Sequence, residues 1–338
     1  MAMKRVAING MGRIGRLVFR GLLESAETEV VAVNEKESLE TVAYLLSHDG
    51  EHAPWSGRVS FQGKEEGELV MEDGRRVRAY RREDASDLPW GEMGVDLVLE
   101  CTGAYTSRAK AQAHLDAGAR RVLVSAAAGE DVPTIVYGIN EETAGEDAIV
   151  SGASCSTVGL APMAKAINDF APIESGIATT IHALTATQMV LANPQRKGNL
   201  RRSRTALTNI IPTTAAAAKA VGLVIPELKG KLTGSAIRVP VVQGSLITLH
   251  AVVARSGFTA SDLNAAMKEA SDALFGYTEE QLVSQDAANM ELESVFDATQ
   301  TKVCPLDGGR SLVEVAAWFD NETSYVAHFL KLTEFLLR

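Results

Sequence analysis

Several features that mark particular classes of protein are scarce or absent in this sequence. The 338 residues include only three cysteines, Cys101, Cys155 and Cys304, which lie far apart and are odd in number, so a disulfide scaffold and a cysteine zinc site are excluded. No stretch approaches the roughly 18 uncharged apolar residues that a membrane-spanning helix requires. The opening letters MAMKRVAING lack the apolar run of a secretory signal, so we expect a cytoplasmic protein.

Positive charge is also in short supply. Lysine and arginine number 33 against 43 aspartates and glutamates, which gives a net charge of −10. This balance argues against a general nucleic-acid binder. Hydrophobic residues make up 46% of the chain, enough for a large core, and a chain of this length is expected to form two domains.

The first half of the chain alternates short apolar runs with helical patterns. The apolar runs are mostly uninterrupted by polar residues, which is typical of strands buried on both faces of a parallel sheet. Predicted strands lie at 5–8, 29–34, 95–101 and 120–125, predicted helices at 13–24, 37–47 and 107–117, and an inserted hairpin region at 57–82. The alternation of strand and helix predicts a doubly wound α/β fold of the Rossmann type.

The pattern changes after about residue 150. The apolar runs become longer and alternate with polar residues, which indicates an antiparallel or mixed sheet. Predicted strands lie at 176–184, 234–239 and 245–254, and predicted helices at 155–169, 206–222, 259–273 and 324–338. The expected fold class is therefore α/β, with an N-terminal parallel sheet followed by an α+β domain that has a mostly antiparallel sheet.

A glycine-rich segment, INGMGRIG, directly follows the first predicted strand and opens a helix. It places Gly10, Gly12 and Gly15 in the spacing GxGxxG, which permits a tight turn and the close approach of a pyrophosphate to a helix N-terminus. By itself this motif also fits an ordinary glycine turn. Glu35 at the end of the next strand adds a carboxylate at the spacing where an acid binds the adenosine ribose. The sequence thus predicts dinucleotide binding, with NAD favoured over NADP because a carboxylate repels a 2′-phosphate, although Lys36 weakens that exclusion.

Cys155 stands in the segment SGASCSTVGLAP, between two serines and at the predicted start of a helix. A thiol at a helix N-terminus is expected to have a lowered pKa, because the helix dipole favours the thiolate. Ser154 and Ser156 offer hydroxyl groups to an anion, and His182 is the candidate for the base that a nucleophilic cysteine requires. An inert buried thiol and an ordinary hydrogen-bonded core histidine are the commoner alternatives for each residue taken alone.

Arginines form two candidate anion sites. The segment NLRRSR at 199–204 holds three arginines without an acid, which fits either phosphate binding or a solvated surface with subunit ion pairs. Arg238 is more informative, because it is isolated in the apolar run AIRVPV, where a charge needs a partner.

These segments, in this order, resemble the glyceraldehyde-3-phosphate dehydrogenase family over essentially the whole chain. The resemblance rests on the GxGxxG domain, then ASCST, TTIHALTATQ, NLRRSR, KGKLTGSAIRVP and WFDNETSY, with INGMGRIGR, CTGAYTSR and KAVGLVIPELKGKL as further matching segments. It implies an NAD-binding domain at 1–154, completed by the C-terminal helix at about 321–338, and a catalytic domain at 155–320. It also implies a homotetramer in which residues 183–207 lie against the cofactor of a neighbouring subunit.

The resemblance further implies the oxidative phosphorylation of D-glyceraldehyde 3-phosphate to 1,3-bisphosphoglycerate with NAD, in glycolysis or gluconeogenesis. Cys155 would attack the aldehyde as a thiolate, His182 would activate the thiol, and inorganic phosphate would release the thioester as an acyl phosphate. The implied cofactor contacts are Gly10, Gly12, Arg13, Ile14, Gly15, Asn34, Glu35, Arg82, Thr102, Gly103, Ser125, Asn321 and Tyr325. The implied phosphate contacts are Ser154, Ser156 and Arg202 for the attacking phosphate and Thr185 and Arg238 for the substrate's own phosphate, with Thr214 in the same group. No metal is implied.

The sequence departs from the usual family pattern at several positions. Val158 and Gly159 replace an asparagine and a cysteine, and Thr187 replaces an aspartate. In the phosphate loop, Ala215 and Ala216 replace a threonine and a glycine, so a hydroxyl donor and a flexible backbone position are lost. A lost hydrogen bond to an anion costs about 1.5–3 kcal/mol, and we therefore expect a weakened or rebuilt site for the attacking phosphate.

Two other functions stay open at this point. One is a sister enzyme that acts on another phosphorylated aldehyde, such as erythrose 4-phosphate, with water in place of phosphate; the altered phosphate loop is its best support. The other is an NAD-binding regulatory protein that has lost catalysis, against which the presence of Cys155, His182, Arg238 and Asn321 argues.

Overall fold

The chain divides into two compact units. The computed structural model describes residues 3–52, 55, 57–194, 198–214 and 217–338. The first unit comprises Met1–Ile135, Glu141–Ala153 and Phe329–Arg338, and the second comprises Val136–Asn140 and Ser154–His328. None of the helices in the described ranges is long and apolar enough to cross a membrane.

The first unit is built on a mostly parallel sheet. Its strands are β1 (Lys4–Asn9), β2 (Thr28–Asn34), β3 (Val59–Gly63), β4 (Gly67–Met71), β5 (Arg76–Tyr80), β6 (Leu97–Glu100), β7 (Arg121–Val124) and β8 (Ile149–Ser151), and its helices are α1 (Arg13–Leu22), α2 (Leu39–Ser47) and α3 (Arg108–Asp116). The strand order is β3-β4-β5-β2-β1-β6-β7-β8, in which β4 is antiparallel to both β3 and β5 and the remaining neighbouring pairs are parallel. The predicted doubly wound parallel sheet is therefore confirmed.

The sequence explains why the central strands of this sheet form. Val6, Ala7 and Ile8 in β1 and the apolar residues 97–99 in β6 are fully buried, as uninterrupted apolar runs between two layers of helix should be. The strand order reverses at β1, because β2 follows on one side and β6 on the other. In open α/β sheets, ligands bind outside the carboxyl ends of the strands at such a reversal. The carboxyl ends of β1 and β6 are therefore where a cofactor is expected.

The second unit is built on a mostly antiparallel sheet. Its strands are β9 (Ile173–His182), β10 (Ile211–Thr214), β11 (Leu232–Arg238), β12 (Ser245–Val253), β13 (Phe275–Thr278), β14 (Ser294–Asp297), β15 (Lys302–Leu306) and β16 (Arg310–Phe319). The order is β10-β11-β9-β12-β16-β14-β13, and β15 also pairs with β16. Its helices are α4 (Cys155–Phe170), α5 (Ala217–Val224) and α6 (Ala260–Glu269), and α7 (Thr323–Leu336) begins in this unit and ends in the first. The expected mostly antiparallel sheet is confirmed.

One predicted helix, at 206–222, is wrong over its first half. Residues Ile211–Thr214 form β10, and the helix of this region is α5. Pro212 removes a backbone N–H and is tolerated at a sheet edge, where β10 has β11 as its one partner strand among the described residues. The β-branched neighbours Ile211, Thr213 and Thr214 favour the strand as well.

Candidate active site and cofactor site

Cys155, His182 and Arg238 meet at one point in the second unit. The Sγ atom of Cys155 lies 3.5 Å from Nε2 of His182. On the other side of the ring, Nδ1 of His182 lies 2.6 Å from Nη1 of Arg238 and 2.7 Å from the carbonyl oxygen of Ala183. Nη1 of Arg238 also donates to that carbonyl oxygen at 2.9 Å. The candidate nucleophile and the candidate base are thus within hydrogen-bonding reach of each other.

The strand register explains why His182 and Arg238 meet. His182 is the last residue of β9, Arg238 is the last residue of β11, and the two are partners in the parallel pairing of these strands. Because parallel neighbours end at the same edge of a sheet, both side chains reach one point.

Cys155 is the first residue of α4, and the turn before it has a strained backbone. Ala153 has a φ of 59°, in the left-handed region that residues other than glycine rarely adopt. Ser154 is the N-cap, because its Oγ accepts a hydrogen bond from Thr157 N at 3.3 Å. The Ser154 hydroxyl therefore caps the helix. The side chain and the backbone N–H of Ser156 donate to the Cys155 sulfur.

Gly159, which departs from the usual family pattern, is explained by packing. A Cβ atom at this position would lie 3.0 Å from Cγ of Phe319 and 3.2 Å from Cδ1 of Ile247, so glycine lets α4 lie close to the sheet. The ring of Phe319 also contacts the His182 ring edge to face, with centroids 6.0 Å apart. Close packing at Gly159 therefore holds the ring that lies against the candidate base. The neighbouring Val158 is buried.

Burial and positive charge set the protonation states of this cluster. Burial raises the pKa of the Cys155 thiol above its ordinary value, although the charge of Arg238 and the hydrogen bonds from Ser156 lower it. Burial, and then the charge of Arg238, lowers the pKa of His182 to about 3. The expectation that the helix start lowers the Cys155 pKa is therefore wrong in direction, because desolvation outweighs the dipole. At neutral pH the thiol keeps its proton and the imidazole is uncharged.

The single ring proton of His182 has two possible positions. A guanidinium only donates hydrogen bonds, so Nδ1 is unprotonated when it accepts from Arg238, and the proton is then on Nε2, facing Cys155. When Arg238 is drawn away, Nδ1–H can donate to the carbonyl oxygen of Ala183, and the Nε2 lone pair faces the thiol. Only the second arrangement allows Nε2 to accept the thiol proton.

Polar side chains that could hold anions follow β9. Thr185 Oγ1 lies 3.3 Å from Thr187 Oγ1, and Arg202 Nη2 donates to Thr187 Oγ1 at 2.8 Å. The charge of Arg202 contributes to the lowered pKa of His182, which indicates that it acts on the same cluster. Thr185, Thr187 and Arg202 therefore form a hydroxyl and guanidinium group of the kind that binds phosphate.

Thr214 is placed differently. It is the exposed last residue of β10 and pairs with Ser235, three positions before Arg238 on β11, and no contact joins its side chain to the cluster among the described residues. Ala215 and Ala216, on which the expectation of an altered phosphate loop depends, lie outside the described residues.

The glycine-rich segment forms a tight turn between β1 and α1. Gly10 has a φ of +95°, and a Cβ atom there would lie 2.8 Å from the backbone nitrogen of Thr102. A Cβ atom at Gly15 would lie 1.9 Å from the carbonyl oxygen of Gly10, so only glycine allows the helix to approach the turn this closely. Gly12 is the N-cap of α1, with no side-chain cap and with open space where a Cβ atom would be. The start of the helix is therefore shaped for a pyrophosphate.

Arg13 and Ile14 are the first residues of α1. Arg13 Nη1 donates to Asp49 Oδ1 at 3.2 Å, and its guanidinium also pairs with Glu51. Because two carboxylates balance the Arg13 side chain, the helix start itself is what this pair of residues offers to a pyrophosphate.

The carboxylate of Glu35 lies beside the glycine-rich turn. Its Oε2 accepts a hydrogen bond from Met11 N at 2.9 Å, which fits the recognition of a ribose and the exclusion of a 2′-phosphate. The Asn34 side chain hydrogen-bonds to the backbone of Arg82. Arg82 N donates to Asn34 Oδ1 at 2.9 Å, and Asn34 Nδ2 donates to Arg82 O at 3.0 Å. The Arg82 side chain pairs with Glu66. Asn34 and Arg82 thus hold the strand ends together in this structure.

Three other predicted cofactor residues lie at the carboxyl ends of β6 and β7. Thr102 and Gly103 form an exposed turn after β6, where Gly103 has a φ of +69°. Ser125 follows β7; its N–H donates to the carbonyl oxygen of Glu100 at 2.9 Å, and its side chain hydrogen-bonds to Cys101. Burial raises the pKa of Cys101, so this thiol has a structural character.

Asn321 and Tyr325 lie in the second unit. Asn321 is 4% exposed, and its Nδ2 has no hydrogen-bond partner among the described residues. A buried unused amide donor fits the carboxamide oxygen of a nicotinamide. Ser245, which the sequence did not single out, donates to Asn321 Oδ1 at 3.4 Å and accepts from Ala183 N at 3.0 Å. Ser245 could not be recognised from the sequence, because a serine at the start of a strand carries no functional signal. Tyr325 is buried on α7.

Comparisons with known proteins agree across the whole chain. The model of the family "Glyceraldehyde 3-phosphate dehydrogenase, NAD binding domain" matches residues 4–108, and "Glyceraldehyde 3-phosphate dehydrogenase, C-terminal domain" matches residues 154–321. The glyceraldehyde-3-phosphate dehydrogenase of Clostridium pasteurianum is 46% identical to this chain over an alignment that covers 99% of each protein. Those of Clostridium acetobutylicum and Lactobacillus delbrueckii subsp. bulgaricus are 47% and 48% identical, each with 97% of both chains covered.

Proposed function

Because the chain belongs to the glyceraldehyde-3-phosphate dehydrogenase family, we propose that it oxidises D-glyceraldehyde 3-phosphate with NAD and inorganic phosphate to 1,3-bisphosphoglycerate. The observation that carries this proposal is the 3.5 Å contact between Cys155 Sγ and His182 Nε2, with Arg238 on the far side of the ring. A thiol nucleophile needs a base within reach, and an anionic substrate needs a cation. Both are present in one cluster. We assign the cofactor to the first unit and the acyl chemistry to the second.

The substrate's own phosphate is proposed to start the reaction by moving Arg238. A phosphate held by Arg238 and Thr185 draws the guanidinium from Nδ1 of His182, because charge-assisted bonds to phosphate are stronger than a bond to a neutral imidazole. Nδ1–H then donates to the carbonyl oxygen of Ala183, and Nε2 accepts the thiol proton. The Cys155 thiolate attacks the aldehyde carbon, and Nε2–H of His182 returns its proton to the carbonyl oxygen, which becomes the hydroxyl of a hemithioacetal.

His182 then acts as the base a second time. Nε2 takes the hydroxyl proton of the hemithioacetal as the carbon is oxidised, which leaves a thioester on Cys155. NAD, when bound, supplies the acceptor for the hydride. The residues of the first unit that fit it are the glycine-rich turn and Glu35.

Inorganic phosphate is proposed to release the thioester. Arg202 supplies the cation and is oriented by its hydrogen bond to Thr187. The Ser156 hydroxyl hydrogen-bonds to the Cys155 sulfur. Attack by a phosphate oxygen on the thioester carbon breaks the carbon–sulfur bond and gives the acyl phosphate, and the Cys155 thiolate that leaves takes the proton back from Nε2 of His182. The two alternatives raised by the sequence, an erythrose 4-phosphate dehydrogenase and a decayed NAD-binding protein, are not favoured, because the relatives above are named for glyceraldehyde 3-phosphate.

A homotetramer and a cytoplasmic location complete the proposal. The segment expected to face a neighbouring subunit, 183–207, exposes apolar side chains: Val190 is 64%, Leu191 75% and Leu200 83% exposed. Such a patch is typical of a protein interface. Analytical ultracentrifugation at micromolar concentration tests the assembly, and a monomer would contradict it.

The reaction is tested by NADH formation from glyceraldehyde 3-phosphate and NAD, with and without inorganic phosphate. We expect turnover that requires phosphate and that is lost in Cys155→Ser. In His182→Asn the first NADH burst should slow by about 10²–10⁴-fold, the usual contribution of a general base. Turnover without phosphate would indicate the hydrolytic sister enzyme instead, and the absence of any burst would contradict the proposal.

A further inference from the structure

Glu100, the last residue of β6, carries a buried carboxylate that the proposed mechanism does not use. It is 1% exposed. Oε2 accepts from Asn9 Nδ2 at 2.6 Å and lies 3.0 Å from His114 Nε2, whereas Oε1 accepts from Thr102 N at 2.8 Å and from the Thr102 hydroxyl. Every residue of this cluster belongs to the first unit.

The pattern of donors shows that Glu100 is ionised. Asn9 Oδ1 accepts from Asn34 Nδ2, so the Asn9 amide presents its NH₂ group to the carboxylate. Thr102 Oγ1 accepts from Ala104 N at 3.0 Å, which leaves its hydrogen for Glu100. Each carboxylate oxygen thus has two donors, and a proton on either oxygen would face a donor.

The charge of Glu100 is not balanced within the cluster. Trp90 Nε1 can only donate, and it lies 3.1 Å from His114 Nδ1, so Nδ1 is the acceptor and the single ring proton is on Nε2. His114 is therefore neutral and donates to Glu100. No lysine or arginine forms an ion pair with Glu100 within residues 3–52, 55, 57–194, 198–214 and 217–338. The cluster carries one net negative charge in a buried setting, where screening by salt is weak.

This charge lies at the reversal of the strand order. Asn9 ends β1 and Glu100 ends β6, the two strands whose carboxyl ends flank the expected crevice. The turn that Glu100 holds through Thr102 touches the glycine-rich turn, because a Cβ atom at Gly10 would lie 2.8 Å from Thr102 N. In the proposed function, Thr102 and Gly103 face the nicotinamide half of NAD.

We propose that Glu100 is a specificity-determining residue that favours oxidised over reduced cofactor. The oxidised nicotinamide ring carries a positive charge and the reduced ring is neutral, so a buried negative charge beside the site stabilises only the oxidised form. The proposal rests on the proposed assignment of Thr102 and Gly103 to the nicotinamide half. Its consequence is that NADH, once formed, leaves more easily than NAD.

The size of the effect follows from Coulomb's law. Two unit charges about 10 Å apart, at the effective permittivity of about 20 that suits protein sites, change a binding constant by about tenfold. A residue that only supports the turn would change the affinities for NAD and NADH by a common factor. The ratio of the two dissociation constants therefore separates charge from structure.

The experiment measures the dissociation constants of NAD and NADH by calorimetry on the whole protein, without aldehyde or phosphate. In Glu100→Gln we expect the ratio Kd(NADH)/Kd(NAD) to fall about tenfold. The matched control is Glu29→Gln, which removes a carboxylate that is exposed and paired with Arg5 at the amino end of the sheet. The ratio should not change in Glu29→Gln. Because Glu100 is buried, the change should persist in 0.5 M salt.

Equal weakening of both cofactors in Glu100→Gln would overturn the inference and leave the proposed function intact. Failure of the unaltered protein to bind either cofactor would instead overturn the proposed function. If Glu100→Gln does not fold, Glu100→Asp keeps the charge while altering the hydrogen bonds to the turn. Both dissociation constants should then change by a common factor and leave their ratio within about twofold. A ratio that falls in Glu100→Asp as well would also overturn the inference.

Discussion

The substitution Thr187→Asp is expected to weaken the binding of inorganic phosphate. Arg202 Nη2 donates to the hydroxyl of Thr187 at 2.8 Å, and no carboxylate within the described ranges forms an ion pair with Arg202. The guanidinium is therefore oriented but keeps its full charge for an anion. An aspartate at 187 would put a carboxylate where the hydroxyl now accepts.

The magnitude follows from the exposure of this pair. Thr187 is exposed and Arg202 is partly exposed, so the new ion pair is worth about 1 kcal/mol and not the larger value of a buried pair. A phosphate that must share the guanidinium loses a similar amount, plus repulsion from the carboxylate. We expect the KM for inorganic phosphate to rise about five- to tenfold.

Initial rates of NADH formation over a range of phosphate concentrations measure this effect. Thr187→Asn is the matched control, because its amide oxygen accepts from Arg202 without a charge. The KM for NAD should change in neither variant. A phosphate KM in Thr187→Asp equal to that of Thr187→Asn would refute the reasoning, since charge would then have no part in it.

A combined variant tests whether Thr187 compensates for the loss of phosphate affinity expected from the altered phosphate loop. In the family pattern, an aspartate at this position accompanies a threonine and a glycine where this chain has Ala215 and Ala216. Restoring Ala215→Thr and Ala216→Gly in the Thr187→Asp background should return most of the lost affinity, because a hydroxyl donor to an anion contributes about 1.5–3 kcal/mol. Additive effects in the double-mutant cycle would show that the two sites are independent.

Two further substitutions test buried contacts. Burial raises the pKa of Asp49, but hydrogen bonds and Arg13 outweigh it and lower the pKa to about 2, so Asp49→Asn should destabilise the fold at neutral pH by about 1–2 kcal/mol. This contribution is fully present above pH 3.8 and is lost as the pH falls through 2. Urea unfolding at pH 7 should therefore separate the variant from the parent clearly, and the difference should shrink to about a third near pH 2.5. Ser245→Ala should leave the buried N–H of Ala183 without its acceptor, which should lower the free energy of unfolding by about 1–3 kcal/mol and the melting temperature with it. Because Ala183 follows His182 in the chain, kcat should also fall, and an unchanged kcat would show that Ser245 does not position His182.

The predictions from sequence succeeded where one local pattern determines the structure. Uninterrupted apolar runs predicted the parallel strands of the first unit, and the glycine spacing predicted the turn at Gly10. The strands β13 to β16 were missed, although residues 310–319 alternate in burial as a strand should. The helix expected at 206–222 was wrong over its first half, because Pro212 and its β-branched neighbours favour a strand at a sheet edge, and the helix itself is Ala217–Val224.

The geometry of the candidate site could not be predicted in the same way. Cys155 and His182 are 27 positions apart, and their contact depends on the packing of α4 against β9 and on the turn before α4. The register of β9 with β11 then brings Arg238 to the same ring. The direction of the Cys155 pKa shift depends on desolvation by residues distant in sequence, which a helix dipole argument ignores. Glu100 and Ser245 gave no signal, because each acts through contacts that only the folded chain makes.

Local charge also differs from what the composition indicates. A net charge of −10 predicts that the chain repels anionic substrates. Yet Arg238 and Arg202 act together on His182, and burial and the charge of Arg202 lower the pKa of Arg238 only to about 10, so Arg238 remains positive at neutral pH. The buried carboxylate of Glu100, with a neutral histidine beside it, gives the first unit a local charge of the opposite sign. Each cluster thus has the charge that its proposed ligand requires, phosphate for the arginines and the oxidised nicotinamide for Glu100. Because buried charges are weakly screened, these local signs should govern binding at physiological salt, whereas the net charge should govern solubility.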